Sequence, residues 1–121
     1  MIDTSFDAGN ALLTATGHGK ITHADYQDHL IPAMDLAVQS VGEVKLRYIF
    51  ADDYEGLSSP AALDDARLGV AHLKDFRRIG VVADQARIRN VVSPFTIFMP
   101  AEVRTFAFAD LAMAEAWIRE A

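Results

Sequence analysis

The stretch Lys74-Asp75-Phe76-Arg77-Arg78-Ile79-Gly80-Val81-Val82-Ala83-Asp84 decides the fold of this chain. A charged helix end runs directly into residues 79–83, a short continuous apolar run of the kind that forms a strand covered on both faces. Farther on, Glu102-Val103-Arg104-Thr105-Phe106 reads as another strand, and Ala114-Glu115-Ala116-Trp117-Ile118 as part of a closing helix. Strands interleaved with helices build parallel crossover units, so this order marks an α/β domain.

Working outward, residues 4–7 and 11–16 are short strands flanking Gly9-Asn10. That pair suits a tight hairpin, with glycine taking the positive φ, and makes the two strands antiparallel. Gly17 and Gly19 end the second strand. Thr22-His23-Ala24-Asp25 predicts a helix start: the threonine oxygen accepts an orphan N–H and Asp25 sits in the positively polarised first turn. Tyr26, Leu30, Ala33, Met34, Ala37 and Val41 then mark one apolar face ending at Gly42. Pro32 deletes a backbone bond inside that helix and predicts a kink there.

Residues 44–51 form the next strand. The loop 52–59 leads to a helix with Ser59 as its N-cap, Pro60 as its first residue, and Leu63, Ala66, Val70 and Leu73 as its core stripe. A further helix is predicted over 85–99, with Ile88, Val91, Val92, Phe95 and Met99 inward and Ser93-Pro94 as a break. The last strand covers 102–108 and the last helix 110–121, setting Ala114, Trp117 and Ile118 on the sheet. The predicted order is ββαβαβαβα. Crossovers are right-handed, the sheet is mostly parallel, and only the first strand runs antiparallel, at an edge.

At 121 residues the chain fits a single domain, residues 1–121, of ordinary size. Hydrophobic residues make up 51%, enough for one core, yet no apolar run approaches the ~20 residues of a membrane span. There is no cysteine and no apolar signal segment at the start, which together point to a cytoplasmic protein. With 11 basic and 17 acidic residues the net charge is -6, which argues against nucleic-acid binding. Six cations, Lys74, Arg77, Arg78, Arg87, Arg89 and Arg104, share one stretch, but aromatic residues do not interleave with them as single-strand binding requires.

Gly19-Lys20-Ile21-Thr22 with Asp25-Tyr26, Pro32, residues 74–84, Val103-Arg104 with Phe106, and residues 114–118 together resemble the SpoIIAA-like family of small bacterial proteins. That family is similar in fold to STAS domains, including anti-anti-sigma factors, and to CRAL-TRIO lipid-binding domains. The resemblance implies a regulatory or ligand-binding module. Anti-anti-sigma factors carry a phosphorylatable serine in an Asp-Ser-Ser/Thr-Gly motif after the strand matching 44–51. Here the loop reads Asp52-Asp53-Tyr54-Glu55-Gly56-Leu57-Ser58-Ser59-Pro60 and lacks that order. Ser58 and Ser59 remain the phosphoacceptor candidates, opposed by the negative charge of Asp52, Asp53, Glu55, Asp64 and Asp65.

Catalytic signatures are absent: no Gly-x-Ser-x-Gly elbow, no phosphate loop and no cysteine nucleophile. His18, His23, Asp25 and His29 are the best metal-like grouping, but their spacing matches no zinc pattern, so no metal and no cofactor are expected. Asp52 and Asp53 lie where ligands of open α/β sheets gather, and an enzyme built on them or on the histidines is the alternative reading. The preferred one is a non-enzymatic module that binds a regulatory protein or a small apolar ligand, the latter through Tyr54, Leu57, Phe95, Phe98 and Met99. A homodimer is expected as well, through residues 95–108 or the loop around Tyr54 and Leu57.

Overall fold

The computed structural model describes residues 1–84 and 102–120. The predicted helix over 85–99, with Arg87, Arg89, Phe95, Phe98 and Met99, lies outside the described residues. A five-stranded sheet has the order β1 (Ile2–Asp7), β2 (Leu12–Gly17), β4 (Val44–Phe50), β6 (Phe76–Val82), β7 (Glu102–Phe106). β1 pairs antiparallel with β2 at one edge, and every other neighbouring pair is parallel. Mixed α/β architecture with one antiparallel pair is what the alternation of apolar runs predicts. A second, two-stranded sheet was not predicted: β3 (Lys20–Ile21) pairs in parallel with β5 (Gly56–Leu57). Strands this short carry no periodicity of their own, and pairing alone defines them.

The β1–β2 turn corrects one expectation. Residues Ala8–Asn10 make a 3-10 turn capped by the Asp7 carboxylate, and the left-handed residue is Ala11 at φ 51°, not glycine. Asp7 holds Asn10 through both backbone and side chain, a local bond that fixes the turn without a glycine. Gly17, by contrast, leaves room for a neighbouring side chain. A Cβ there would lie 2.5 Å from Ile21 Cδ1, in the turn that brings β3 back across the end of β2.

Thr22 caps the first helix with a reciprocal capping box: its side chain accepts from Asp25 N, and the Asp25 carboxylate accepts from Thr22 N. One turn of helix, α1 (His23–Asp25), passes into a π-turn (Tyr26–Leu30) and then into α2 (Ile31–Val41). The π-turn is the answer to Pro32. Having no N–H, Pro32 cannot complete the regular ladder, and the Ile31 N–H reaches the Tyr26 carbonyl instead. The inward face survives the irregularity, with Tyr26, Leu30, Met34 and Ala37 all buried.

Two features of α3 (Ser59–Ala71) differ from expectation. Ser58, not Ser59, is its N-cap, its Oγ accepting from Ala61 N at 3.2 Å. Its inward residues are Ala61, Asp64 and Leu68, while Leu63 and Val70, expected in the core, are 51% and 74% exposed. Hydrophobicity alone would turn the helix the other way; polar partners on the neighbouring helix hold it as it is. Helices α1, α2 and α3 cover one face of the sheet over a core that includes Leu13, Leu46, Tyr48, Phe50 and Val81. The last helix, α4 (Leu111–Glu120), entered through a 3-10 turn at Phe108–Asp110, covers the other face. There Ala114, Trp117 and Ile118 are buried with Leu12, Val82 and Phe106, as predicted.

Candidate functional site

The carboxyl ends of the parallel strands carry the groups that sequence reasoning singled out. Tyr48 and Phe50 alternate with outward residues on β4 and so share a face; their rings stack 4.3 Å apart at 9°. The ladder continues into the loop, where Tyr54 meets Phe50 at 4.7 Å, tilted 58°. Tyr54 is buried in the main core, and Leu57, half-buried on β5, packs against it. Phe95, Phe98 and Met99, expected beside them, lie outside the described residues. Ser58 serves the helix cap and Ser59 is exposed in the first turn of α3.

Beneath this ladder runs a polar layer that sequence reasoning missed. Tyr26 Oη donates to Asp65 Oδ1 at 2.7 Å, and Tyr48 Oη, 3.0 Å away, donates to Tyr26, whose one proton is already committed. Burial pushes both phenols far above their usual range, reinforced by the Asp65 carboxylate beside them. Burial also raises the Asp65 carboxyl, only partly opposed by the Tyr26 hydrogen bond. One residue earlier on α3, the Asp64 carboxylate is hydrogen-bonded to His23 Nδ1 of α1. Spacing alone places Tyr26 on an apolar face; the sequence signal for this network is the adjacent acid pair Asp64-Asp65 inside a helix.

The histidines do not converge. His18 sits between Asp53 Oδ1 at 3.2 Å and Asp3 Oδ2 at 3.6 Å, tying β1 to the loop after β4. His23 engages Asp64, and His29 is exposed on the π-turn. His72, at the end of α3, bridges Asp75 at 2.8 Å and Asp35 of α2 at 3.0 Å. Asp25 belongs to the capping box; although burial opposes ionisation, the Thr22 N–H and hydroxyl hold its carboxyl below the usual value. Asp52 is exposed on the loop. Among the described residues no three of His, Asp or Glu are grouped as a metal site would require.

The opposite face of the sheet is charged beneath α4. Arg47 on β4 pairs with Glu115 and donates to Thr14 Oγ1 at 3.1 Å. Arg78 donates to the Trp117 carbonyl at 2.7 Å and lies over the indole at 4.7 Å. Lys45 is nearly enclosed, and burial, followed by the charges of Arg77, Arg119 and Arg78, lowers its ammonium pKa. The cations Arg47, Arg78 and Arg119 are matched to Glu115, Glu102 and Asp7 in ion pairs whose acids are exposed to solvent.

The sheet order, the single antiparallel edge and the helix layers can now be set against known proteins. The SpoIIAA-like family model matches residues 12–119. The chain belongs to the SpoIIAA-like family. An uncharacterised protein of the DUF3478 family from Shewanella loihica, described as having a SpoIIAA-like fold, has a similar structure: TM-score 0.77 at 26% identity, over 97% of this chain and 93% of that one. No curated protein matches the sequence. Among the described residues of this SpoIIAA-like chain, no helix is long and apolar enough to cross a membrane.

Proposed function

We propose that the chain is a non-enzymatic regulatory or small-molecule-binding module of the SpoIIAA-like type, taking a small apolar ligand at the carboxyl edge of its parallel sheet. The observation that carries this reading is the aromatic ladder Tyr48, Phe50 and Tyr54, which rises along the central strand to the edge where ligands of open parallel sheets gather. Leu57 adds apolar surface beside it, and the sequence assigns Phe95, Phe98 and Met99 to the same lining. Aromatic side chains at that edge suit an apolar ligand. Ser58, placed at the N-terminus of α3, offers the regulatory half of the reading, since a phosphate there would meet the positive end of the helix dipole.

The test is a titration of the purified protein with cis-parinaric acid, a fluorescent fatty acid, alongside thermal melts. Saturable fluorescence with a rise in melting temperature supports the ligand, because only a ligand that prefers the folded state raises it. A linear, unsaturable signal with an unchanged melt overturns the apolar-ligand reading.

A further inference from the structure

The anomaly in this fold is the orientation of α3: its acids Asp64 and Asp65 turn inward while Leu63 and Val70 face solvent. The remaining outward residues include Arg67 and Lys74, and the fully exposed positions of this helix and the turn after it include no acid, Asp75 being partly exposed and bonded to His72. In a chain of net charge -6 that is an apolar stripe edged by cations. Its neighbour carries the opposite pattern. Along the π-turn and α2 the exposed positions include Asp28, Pro32, Asp35 and Leu36, with Leu36 64% exposed and no lysine or arginine among them.

The two helices run side by side in the same direction, as two contacts establish: His23 meets Asp64 in the middle of α3, and farther along Asp35 in the first half of α2 meets His72 at the end of α3. Counting along each helix from those contacts, at about 1.5 Å per residue, sets Asp28 level with the turn of α3 that holds Arg67. Asp35 falls level with the turn leading to Lys74. A two-fold axis parallel to the helices, in the plane of their outer surface, would lay α3 of one copy on α2 of the other, and the reverse. Each copy then matches Arg67 to Asp28 and Lys74 to Asp35 of the second copy, and sets Val70 against Pro32, with Leu36 one turn farther on and Leu63 at the rim, level with Ala24.

We propose that the outer surface of α2 and α3 is the interface of a two-fold homodimer, its apolar stripe on α3 covered by the acid-edged α2 of a second copy. Charge complementarity selects a second copy as the occupant, because the chain itself carries both halves of the match. This location differs from the two expected from sequence, residues 95–108 and the loop around Tyr54 and Leu57, of which Leu57 is only partly buried. The apolar centre is modest, so dissociation on the order of micromolar, with marked salt weakening, is expected.

Sedimentation and light scattering from a few to several hundred micromolar test it. The expected result is a monomer-to-dimer transition that Val70→Asp abolishes while the urea midpoint measured on the dilute monomer is unchanged, Val70 being 74% exposed. Arg67→Glu and Asp28→Lys should each weaken the dimer tenfold or more alone. Mixed together they should restore it, because the heterodimer regains opposite charges at both sites. A monomer throughout the range overturns the proposal and gives α3 to a different partner. A dimer indifferent to Val70→Asp and to both charge reversals overturns it equally, by placing the interface elsewhere. Neither outcome bears on the parinaric acid titration, so the two readings fail separately.

Discussion

Replacing Trp117 by alanine removes the largest side chain from the smaller of the two cores. Trp117 is 7% exposed, and its ring meets Phe106 at 5.8 Å, with the Arg78 guanidinium over one part of it at 4.7 Å and that of Arg104 at 5.6 Å. A buried aromatic side chain withdraws roughly 150–250 Å² from water, which at about 25 cal/mol per Å² corresponds to roughly 4–6 kcal/mol. Alanine keeps part of that burial, and the Arg78 bond to the residue 117 carbonyl is a backbone contact that survives. The net cost should be about 3–5 kcal/mol, comparable with the whole stability of many small domains. Urea melts followed by far-UV circular dichroism measure it, with Arg104→Ala as a control costing about 0.5–1 kcal/mol for the exposed cation–ring contact. A loss below about 1 kcal/mol for Trp117→Ala, far under the range for a buried tryptophan, would refute the argument that α4 is held chiefly by this residue.

Thr22→Ala removes half of the capping box and should lower stability by about 1 kcal/mol, read as a shift in the urea midpoint. Leu68→Ala should cost about 2–5 kcal/mol as a core truncation, whereas Leu63→Ala, measured on the dilute protein, should stay within about 0.5 kcal/mol; the reverse order in the same melts would show that α3 has the opposite phase. Asp65→Asn tests the buried carboxyl: its pKa is raised on folding, so the folded state favours its protonated form and stability is lost as pH climbs from the ordinary aspartate value through the raised one. Asparagine can still accept from Tyr26, so the variant should gain on the parent between pH 4 and pH 8 in thermal melts, and a constant difference across that range would contradict the desolvation argument. Zn²⁺, Ni²⁺ or Mn²⁺ should leave the melting temperature unchanged, and a saturable rise abolished by His29→Ala would reveal a metal site among residues that stand apart here.

The sequence alone settled what depends on local pattern. The strand order, the antiparallel first strand, the Thr22 helix start and the buried face of α4 follow from periodicity and capping within a few residues, and handedness then leaves few topologies. Tertiary structure decided the rest. The phase of α3 is set by Tyr26 and His23, which lie 39 and 41 residues from the acids they engage, so Asp64 and Asp65 turn inward and Leu63 and Val70 outward against hydrophobic pattern. Pro32 announced an irregularity, but its form as a π-turn depended on keeping Tyr26, Leu30 and Met34 on the sheet. For the candidate site, Tyr54 and Leu57 were legible as apolar residues at the carboxyl edge, while the hydroxyl and carboxyl layer beneath them was not. A hydrogen bond between distant side chains leaves no periodic trace in sequence, and only the packing of one helix against another brings its partners within reach.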